Sequence, residues 1–311
     1  MHLTVAVLTY NRPTDLAALL PLLTQQIISV RSDELAAEIL VVDNDPRGGA
    51  CTSVQAYASQ SPSVQVRYQN ERRPGISAAR NKALSDSARS DLLVFIDDDE
   101  RPTDQWLCHL LATYQDYHPA AVVGPVVSEF EHPPEPWILA GEFFKRRRLA
   151  TGTKVSVAAT NNLLLDLRHV RSADLFFDLE FGITGGDDTM FTRQLHKSGG
   201  AMIWCDEAVV LDIVPATRLT RRWVLQRAFS SGNTWSLVSI KLADRTFSKH
   251  LCRVRLSWKG IVRMIAGLGR TGIGFVSGLD RHQAKGLRTL ARGAGIVAGV
   301  FAYRFQEYRR R

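Results

Sequence analysis

Residues 92–100 read LLVFIDDDE, five apolar residues running directly into four acids. A strand covered on both faces needs an apolar run without alternation, and in parallel sheets ligands gather at the carboxyl ends of the strands. Working outward, residues 3–10 (LTVAVLTY), 38–43 (EILVVD) and 64–69 have the same strand character. Helical signals lie between them. Pro13 opens a helix continuing to about Gln25, Pro74 and Gly75 lead into one through Leu84, and residues 104–117 form the helix after the acidic run. This alternation predicts an α/β chain with a mostly parallel sheet and helices on both faces. Asn11, Asp43 and the acids Asp97, Asp98 and Asp99 then fall just beyond strand ends.

The rest of the chain is less regular. Residues 158–165 and 208–213 read as strands, 187–197 as a helix after a glycine turn, and 145–148 as a basic run on a loop. From Arg218 onward the pattern is helical. Its longest apolar stretch, residues 293–303, would span roughly 16 Å as a helix, about half of a bilayer core, so no membrane span is expected. Arg and Lys punctuate apolar positions through 251–311, a pattern suited to amphipathic helices lying on a membrane.

With 311 residues, 45% hydrophobic and 23% charged, the chain is an ordinary globular protein able to fill one large core or two modest ones. The net charge of +8 conceals a division. Residues 1–216 hold 19 basic and 28 acidic side chains, whereas 217–311 hold 20 basic and only 3 acidic. The basic third is either a solvated helical surface or a face for an anionic partner, membrane or nucleic acid. Cys51, Cys108, Cys205 and Cys252 are scattered and form no CxxC pair, so reduced thiols and a cytoplasmic chain are expected. The strand pattern starts at once, so no signal peptide is expected.

Carboxylates one residue apart, such as Asp97 and Asp99, can share a divalent cation with substrate phosphates; the alternative is a solvated turn. Asp43 can accept the imide N–H of a uracil ring, or simply cap a turn. Thr9, Tyr10, Asn11 and Arg12 can line the same pocket, with Gly75 as a further nucleotide-sugar contact. Arg80 lies within reach of a diphosphate, its alternative being a surface ion pair. In the GGDD segment, Gly185 and Gly186 permit a close backbone approach. Asp187 and Asp188 open a helix, where they serve as dipole caps or supply a general base. Asp212, at the end of the last strand, is a further metal or phosphate contact.

The ordered segments TYNRP (9–13), VVDND (41–45), RRPGISAARNKAL (72–84), LLVFIDDDE (92–100) and TGGDDTMF (184–191) resemble family 2 glycosyltransferases with the GT-A (Rossmann-like) fold. The resemblance covers about residues 1–230. It implies a glycosyltransferase domain over 1–231, with a nucleotide-binding half to about 125 and an acceptor half from 126, followed by a basic helical region at 232–311. It further implies that Asp43 contacts uracil, that Asp97, Asp98 and Asp99 form the DxD motif for metal (Mg²⁺ or Mn²⁺) and nucleotide, and that Asp187 and Asp188 form the "ED" pair, with Asp188 as base. Two departures stand out: Asp187 replaces the usual Glu, and Asp212 stands where many relatives carry a metal-ligating His. Thr160 through Leu164, Phe177-Asp178 and 214–223 resemble more narrowly the bacterial exopolysaccharide enzymes of the succinoglycan type, which extend lipid-linked oligosaccharides. That resemblance implies a UDP-sugar donor, a saccharide acceptor on a polyprenyl diphosphate met by Asn161, Asn162 and Gly186, and a peripheral place on the inner membrane face. A nucleotidyltransferase would use the same metal and nucleotide parts. A nucleic-acid-binding protein would use the basic third, but the acidic sheet end repels a polyanion without metal. A dinucleotide-dependent oxidoreductase lacks its GxGxxG after the first strand.

Overall fold

A computed structural model describes residues 1–243 and 245–306. In chain order the elements are β1 (His2–Thr9), α1 (Pro13–Val30), β2 (Ala36–Asp43), α2 (Cys51–Gln60), β3 (Gln65–Asn70), α3 (Ile76–Asp86), β4 (Leu92–Asp97), β5 (Glu100–Pro102), α4 (Trp106–Tyr117), β6 (Ala121–Val123), β7 (Val126–Phe130), α5 (Pro136–Gly141), β8 (Lys154–Val155), β9 (Asn162–Asp166), α6 (Leu167–Ser172), α7 (Asp187–Lys197), β10 (Met202–Trp204), β11 (Val210–Val214), α8 (Arg221–Lys241), α9 (Thr246–Ser277) and α10 (Asp280–Val300).

The chain forms two compact units. The first comprises residues 1–127, 146–183 and 187–213, and the second 128–145, 184–186 and 214–311. Residue 231, the expected end of the glycosyltransferase domain, falls inside α8.

The first unit is built on an eight-stranded sheet of order β3-β2-β1-β4-β9-β6-β10-β8. β1, β2 and β4 pair parallel, as their unbroken apolar runs predict, and the partly buried β3 (QVRYQN) joins β2 in parallel at the sheet edge. β9 runs antiparallel to both β4 and β6, so the sheet is mixed but mostly parallel, the expected α/β class. Successive side chains of β1 take opposite faces. Leu3, Val5 and Val7 pack with α1 and α4 through Leu19, Leu23, Trp106 and Leu110. Ala6 and Leu8 share the other face with Ala79 and Ala83 of α3 and Phe191 of α7. Register then aligns the strand ends: Thr9 lies opposite Asp43, and Leu8 opposite Asp97. That alignment brings three candidate positions to one edge. α1 continues to Val30, beyond the expected Gln25.

In the second unit α10 packs against α5, α8 and α9. The approach to α9 is backbone-close. A Cβ added at Gly267 would meet the Leu290 nitrogen at 2.6 Å and the Gly286 carbonyl oxygen at 2.8 Å. No helix among the described residues is long and apolar enough to cross a membrane.

Candidate active site

The end of β1 holds the acidic run in place. Thr9 Oγ1 donates to Asp98 Oδ2 at 2.8 Å, and Arg12 Nη1 lies 2.7 Å from Asp98 Oδ1 and 2.9 Å from Asp99 Oδ2. The middle acid is therefore spent on holding β1 to β4, and its side chain is buried. Asn11 adopts φ 54°, which turns the chain sharply between β1 and α1. Tyr10 is half-buried in the same turn.

Burial raises Asp97 and Glu100 as it raises Asp98. Burial, reinforced by repulsion from Asp99 and Asp98 against the pull of Arg80, pushes the Asp97 carboxyl up to about 7. Glu100 is raised well above its ordinary value by burial and by Asp97, with Arg146 opposing. Glu100 accepts from Asn161 Nδ2 at 2.6 Å and from the Asp97 N–H at 3.2 Å. Across the β5–β11 pair it lies opposite Asp212, whose carboxylate is bound by Arg146 from the basic run. Among the described residues no three acidic, histidine or cysteine side chains converge as a ready-made metal cage.

The GGDD acids divide in the same way. Asp187 is buried and ion-paired with Arg80 of α3, itself only 7% exposed. Burial alone would weaken the hold of Arg80 on its proton, but Asp187, Asp97 and Asp188 outweigh it and raise the pKa. Its guanidinium also stacks over Phe177, 5.6 Å from the ring centroid. Arg80 thus stands between the strand-end acids and the helix-start acids, with a buried Nε that has no hydrogen-bond partner. Asp188 is less enclosed; its Oδ1 accepts the Thr189 N–H at the first turn of α7. Gly186 precedes the pair at φ +97°, a conformation side chains rarely adopt.

Asp43 is fully buried at the end of β2. It accepts the Asp45 N–H (2.8 Å), the Ala50 N–H (2.9 Å) and the Tyr68 hydroxyl (3.0 Å). A carboxylate has about four acceptor positions, so two are occupied by its own loop and a third by Tyr68 of β3. Burial and the bond to Asp43 raise Tyr68 above the usual tyrosine range. Asn44, which the sequence reading passed over, donates to the carbonyls of Glu71 and Arg73 and accepts the Gly75 N–H. It fixes the turn that launches α3, where Gly75 has φ +114°. Only its position beside Asp43 in VVDND signals that role. Arg146 and Glu100 were likewise visible only as members of charged runs.

Asn162 is 1% exposed and its amide is heavily committed. It accepts from Trp106 Nε1 at 2.9 Å and donates to the Pro125 and Ala208 carbonyls at 2.9 and 2.7 Å. The neighbouring Asn161 is half-buried and reaches Glu100, so the two adjacent asparagines have separate environments.

Comparison with known proteins now gives this arrangement a relation. The sequence profile described as "Glycosyl transferase family 2" matches residues 4–170. The chain is 32% identical to Succinoglycan biosynthesis protein ExoM of Rhizobium meliloti (strain 1021) over 234 residues, covering 75% of this chain and 74% of that protein. Among solved structures, the mannosyltransferase PcManGT from Pyrobaculum calidifontis, in complex with GDP-Man and Mn²⁺, shares the fold with TM-score 0.64 and 17% identity over 96% of this chain and 87% of that one. Residues 1–349 of S. aureus TarS in complex with UDP-GlcNAc give TM-score 0.55 and 14% identity over 94% and 90%. Of a longer TarS chain, at TM-score 0.53 and 15% identity, this chain covers 81% of its own length but spans only 42% of that one. By profile and by identity along three quarters of its length, the chain belongs to glycosyl transferase family 2.

Proposed function

We propose that the chain is an inverting hexosyltransferase. It moves a sugar from a UDP-sugar to a hydroxyl of a saccharide acceptor, lipid-linked, in surface polysaccharide synthesis. One observation carries this reading: Arg80 is paired to Asp187 while also feeling Asp97 and Asp188, so strand-end and helix-start acids belong to one charged network. An inverting displacement needs a base beside the attacking hydroxyl and positive charge beside the departing diphosphate, and a second acidic station can hold that charge as a cation. Asp188 takes the proton from the acceptor hydroxyl as that oxygen bonds to the anomeric carbon; the carbon–oxygen bond to the diphosphate breaks, and its electron pair leaves with UDP. Asp187, held by Arg80, positions the start of α7. Asp43 meets the uracil through its remaining acceptor position, with Thr9, Tyr10, Asn11 and Arg12 beside it. Asn161 and Gly186 are assigned to the acceptor, and the amide of Asn162, committed to Trp106 and two carbonyls, holds the start of β9 beside Asn161.

The donor set suits a hard cation. Asp97 is buried beside two further acids, and Mg²⁺ ordinarily completes its ligands with water and substrate phosphates, so a few carboxylates suffice. Asp97 and Asp99 would hold Mg²⁺ or Mn²⁺, which when bound supplies positive charge to the departing diphosphate; Asp212 would join them as a further ligand only on release from Arg146. Mn²⁺ and a nucleotide sugar in the PcManGT complex support this reading, as does UDP-GlcNAc in the TarS complex. Calorimetric titration with UDP-, GDP- and dTDP-sugars, each with and without Mg²⁺ or Mn²⁺, tests it. Metal-dependent binding of a UDP-sugar is expected, and binding of GDP-sugars alone would overturn the role given to Asp43.

The C-terminal region, 232–311, is proposed as a peripheral membrane contact. On α9, Phe247, Val254, Trp258, Ile265, Leu268 and Phe275 are exposed at alternating four- and three-residue spacings or their sums, which places them on one face. Arg and Lys flank that face, as expected for a helix lying on anionic lipid at the inner leaflet. Flotation with phosphatidylglycerol vesicles should be lost in Trp258→Ser/Ile265→Ser. Unchanged flotation would remove this contact from the proposal.

A further inference from the structure

The close approach of α9 and α10 leaves a pocket of about 200 Å³ in the second unit. Its walls carry Arg263 and Arg270 from α9, Lys285, Arg288 and Arg292 from α10, and Glu142 from the end of α5. The spacings of seven, and of three and seven, put each basic set on one face of its helix. Lys285 Nζ is neutralised by Glu142 Oε2 at 2.8 Å. Arg288 is held by the Glu142 and Gly141 carbonyls at 2.8 and 3.3 Å, with its guanidinium 5.7 Å from the Phe143 ring centroid. Among the described residues, Arg263, Arg270 and Arg292 have no carboxylate partner. Burial, together with repulsion from Arg263 and Arg288, lowers the Arg292 pKa.

Five cations facing one carboxylate destabilise the helices that carry them, and the packing of α9 on α10 runs through glycines that need no charge. Planar guanidinium forks beside an ammonium match the oxygens of a phosphate, whose charge of about −2 would offset much of the surplus. A sugar hydroxyl or a metal ion would offset none of it. We propose that this pocket binds a phosphate or diphosphate ester. The inference extends the membrane reading of α9 without depending on it or on any catalytic assignment.

The experiment is calorimetric titration of the full chain with inorganic pyrophosphate in EDTA, which suppresses metal-assisted binding at the acidic site. Saturable binding is expected. It should weaken about tenfold or more in Arg263→Gln/Arg292→Gln, and by less than about twofold in Arg253→Gln/Arg255→Gln, which removes the same charge from exposed positions of α9 outside the pocket. Removing mutually repelling arginines should leave circular dichroism unchanged, so lost binding would not report lost folding. Absence of saturable binding to the parent protein, or equal loss in both variants, overturns the proposal. Flotation with phosphatidylcholine vesicles containing equal fractions of phosphatidic acid or phosphatidylglycerol identifies the source. A preference for phosphatidic acid that pyrophosphate competes away assigns the pocket to a lipid phosphomonoester; pyrophosphate binding without that preference assigns it to another phosphate ester.

Discussion

Asp187 and Asp188 are adjacent acids for which the structure predicts opposite phenotypes on conversion to asparagine. Asp187 is 2% exposed and paired to an arginine that is 7% exposed. Removing one partner of a buried ion pair costs about 3–5 kcal/mol. Asp97 and Asp188 still act on Arg80, so Asp187→Asn should fall at the lower end, about 3 kcal/mol. At roughly 2–4 °C per kcal/mol, the melting temperature should drop by roughly 6–12 °C. Asp188 accepts a single backbone N–H, which the asparagine amide oxygen can also accept. Losing its charge at the start of α7 should cost only about 0.3–1 kcal/mol. As a general base, however, its removal should lower kcat by roughly 10²–10⁴. Differential scanning fluorimetry and single-turnover transfer, run on both variants, read the two effects separately. The reasoning fails if Asp187→Asn melts with the parent, or if Asp188→Asn retains normal transfer.

A Cβ at Gly186 would lie 2.0 Å from Thr234 Cγ2, and φ is +97°; Gly186→Ala should therefore lose more than about 2 kcal/mol in denaturant titration. Thr234→Ala in that background should recover part of the loss, because it relieves the contact and not the backbone. Chelation with EDTA should abolish UDP release, and Mg²⁺ or Mn²⁺ should restore it; in Asp99→Asn the added metal should no longer tighten UDP binding. Burial alone would raise Asp166, but hydrogen bonds from Arg168 and Tyr114 outweigh it and hold the carboxyl below its ordinary value. Its stabilisation is then complete above the unfolded carboxylate pKa of about 3.9 and lost as pH falls through the lower folded value, so Asp166→Asn should flatten the acid limb of a stability profile.

The sheet was legible where burial is continuous. β1, β2 and β4 are enclosed on both faces, so their sequences show long apolar runs. α2 was missed because only Val54 is buried, leaving no apolar stripe to read. β6, β8 and β10 have two or three residues, too few for a period. The direction of β9 was also out of reach, because a local apolar pattern is the same read either way. For the site, strand ends identified the acids, but not their partners. Arg80 and Asp187 lie 107 residues apart, and nothing local in either segment announces the pair. Asn162 reads as an acceptor contact, yet Trp106 and two carbonyls take its amide into the core.

Those partners change what the acidic run can do. Seven carboxylates (Asp97, Asp98, Asp99, Glu100, Asp187, Asp188 and Asp212) share contacts or fields with Arg12, Arg80 and Arg146. Each arginine is already bound to at least one acid. Arg80, expected to grip a diphosphate, is committed to Asp187, so a donor diphosphate cannot draw on it without breaking a buried pair. Burial raises Asp97 and Glu100, and the neighbouring acids add to it against the pull of Arg80 and Arg146. A diphosphate entering this network therefore has to bring positive charge with it. If that charge is a divalent cation, UDP alone should bind weakly, the cation alone weakly, and the two together much more tightly. Equal UDP affinity with and without the cation would mean that one of the three arginines changes partner on binding.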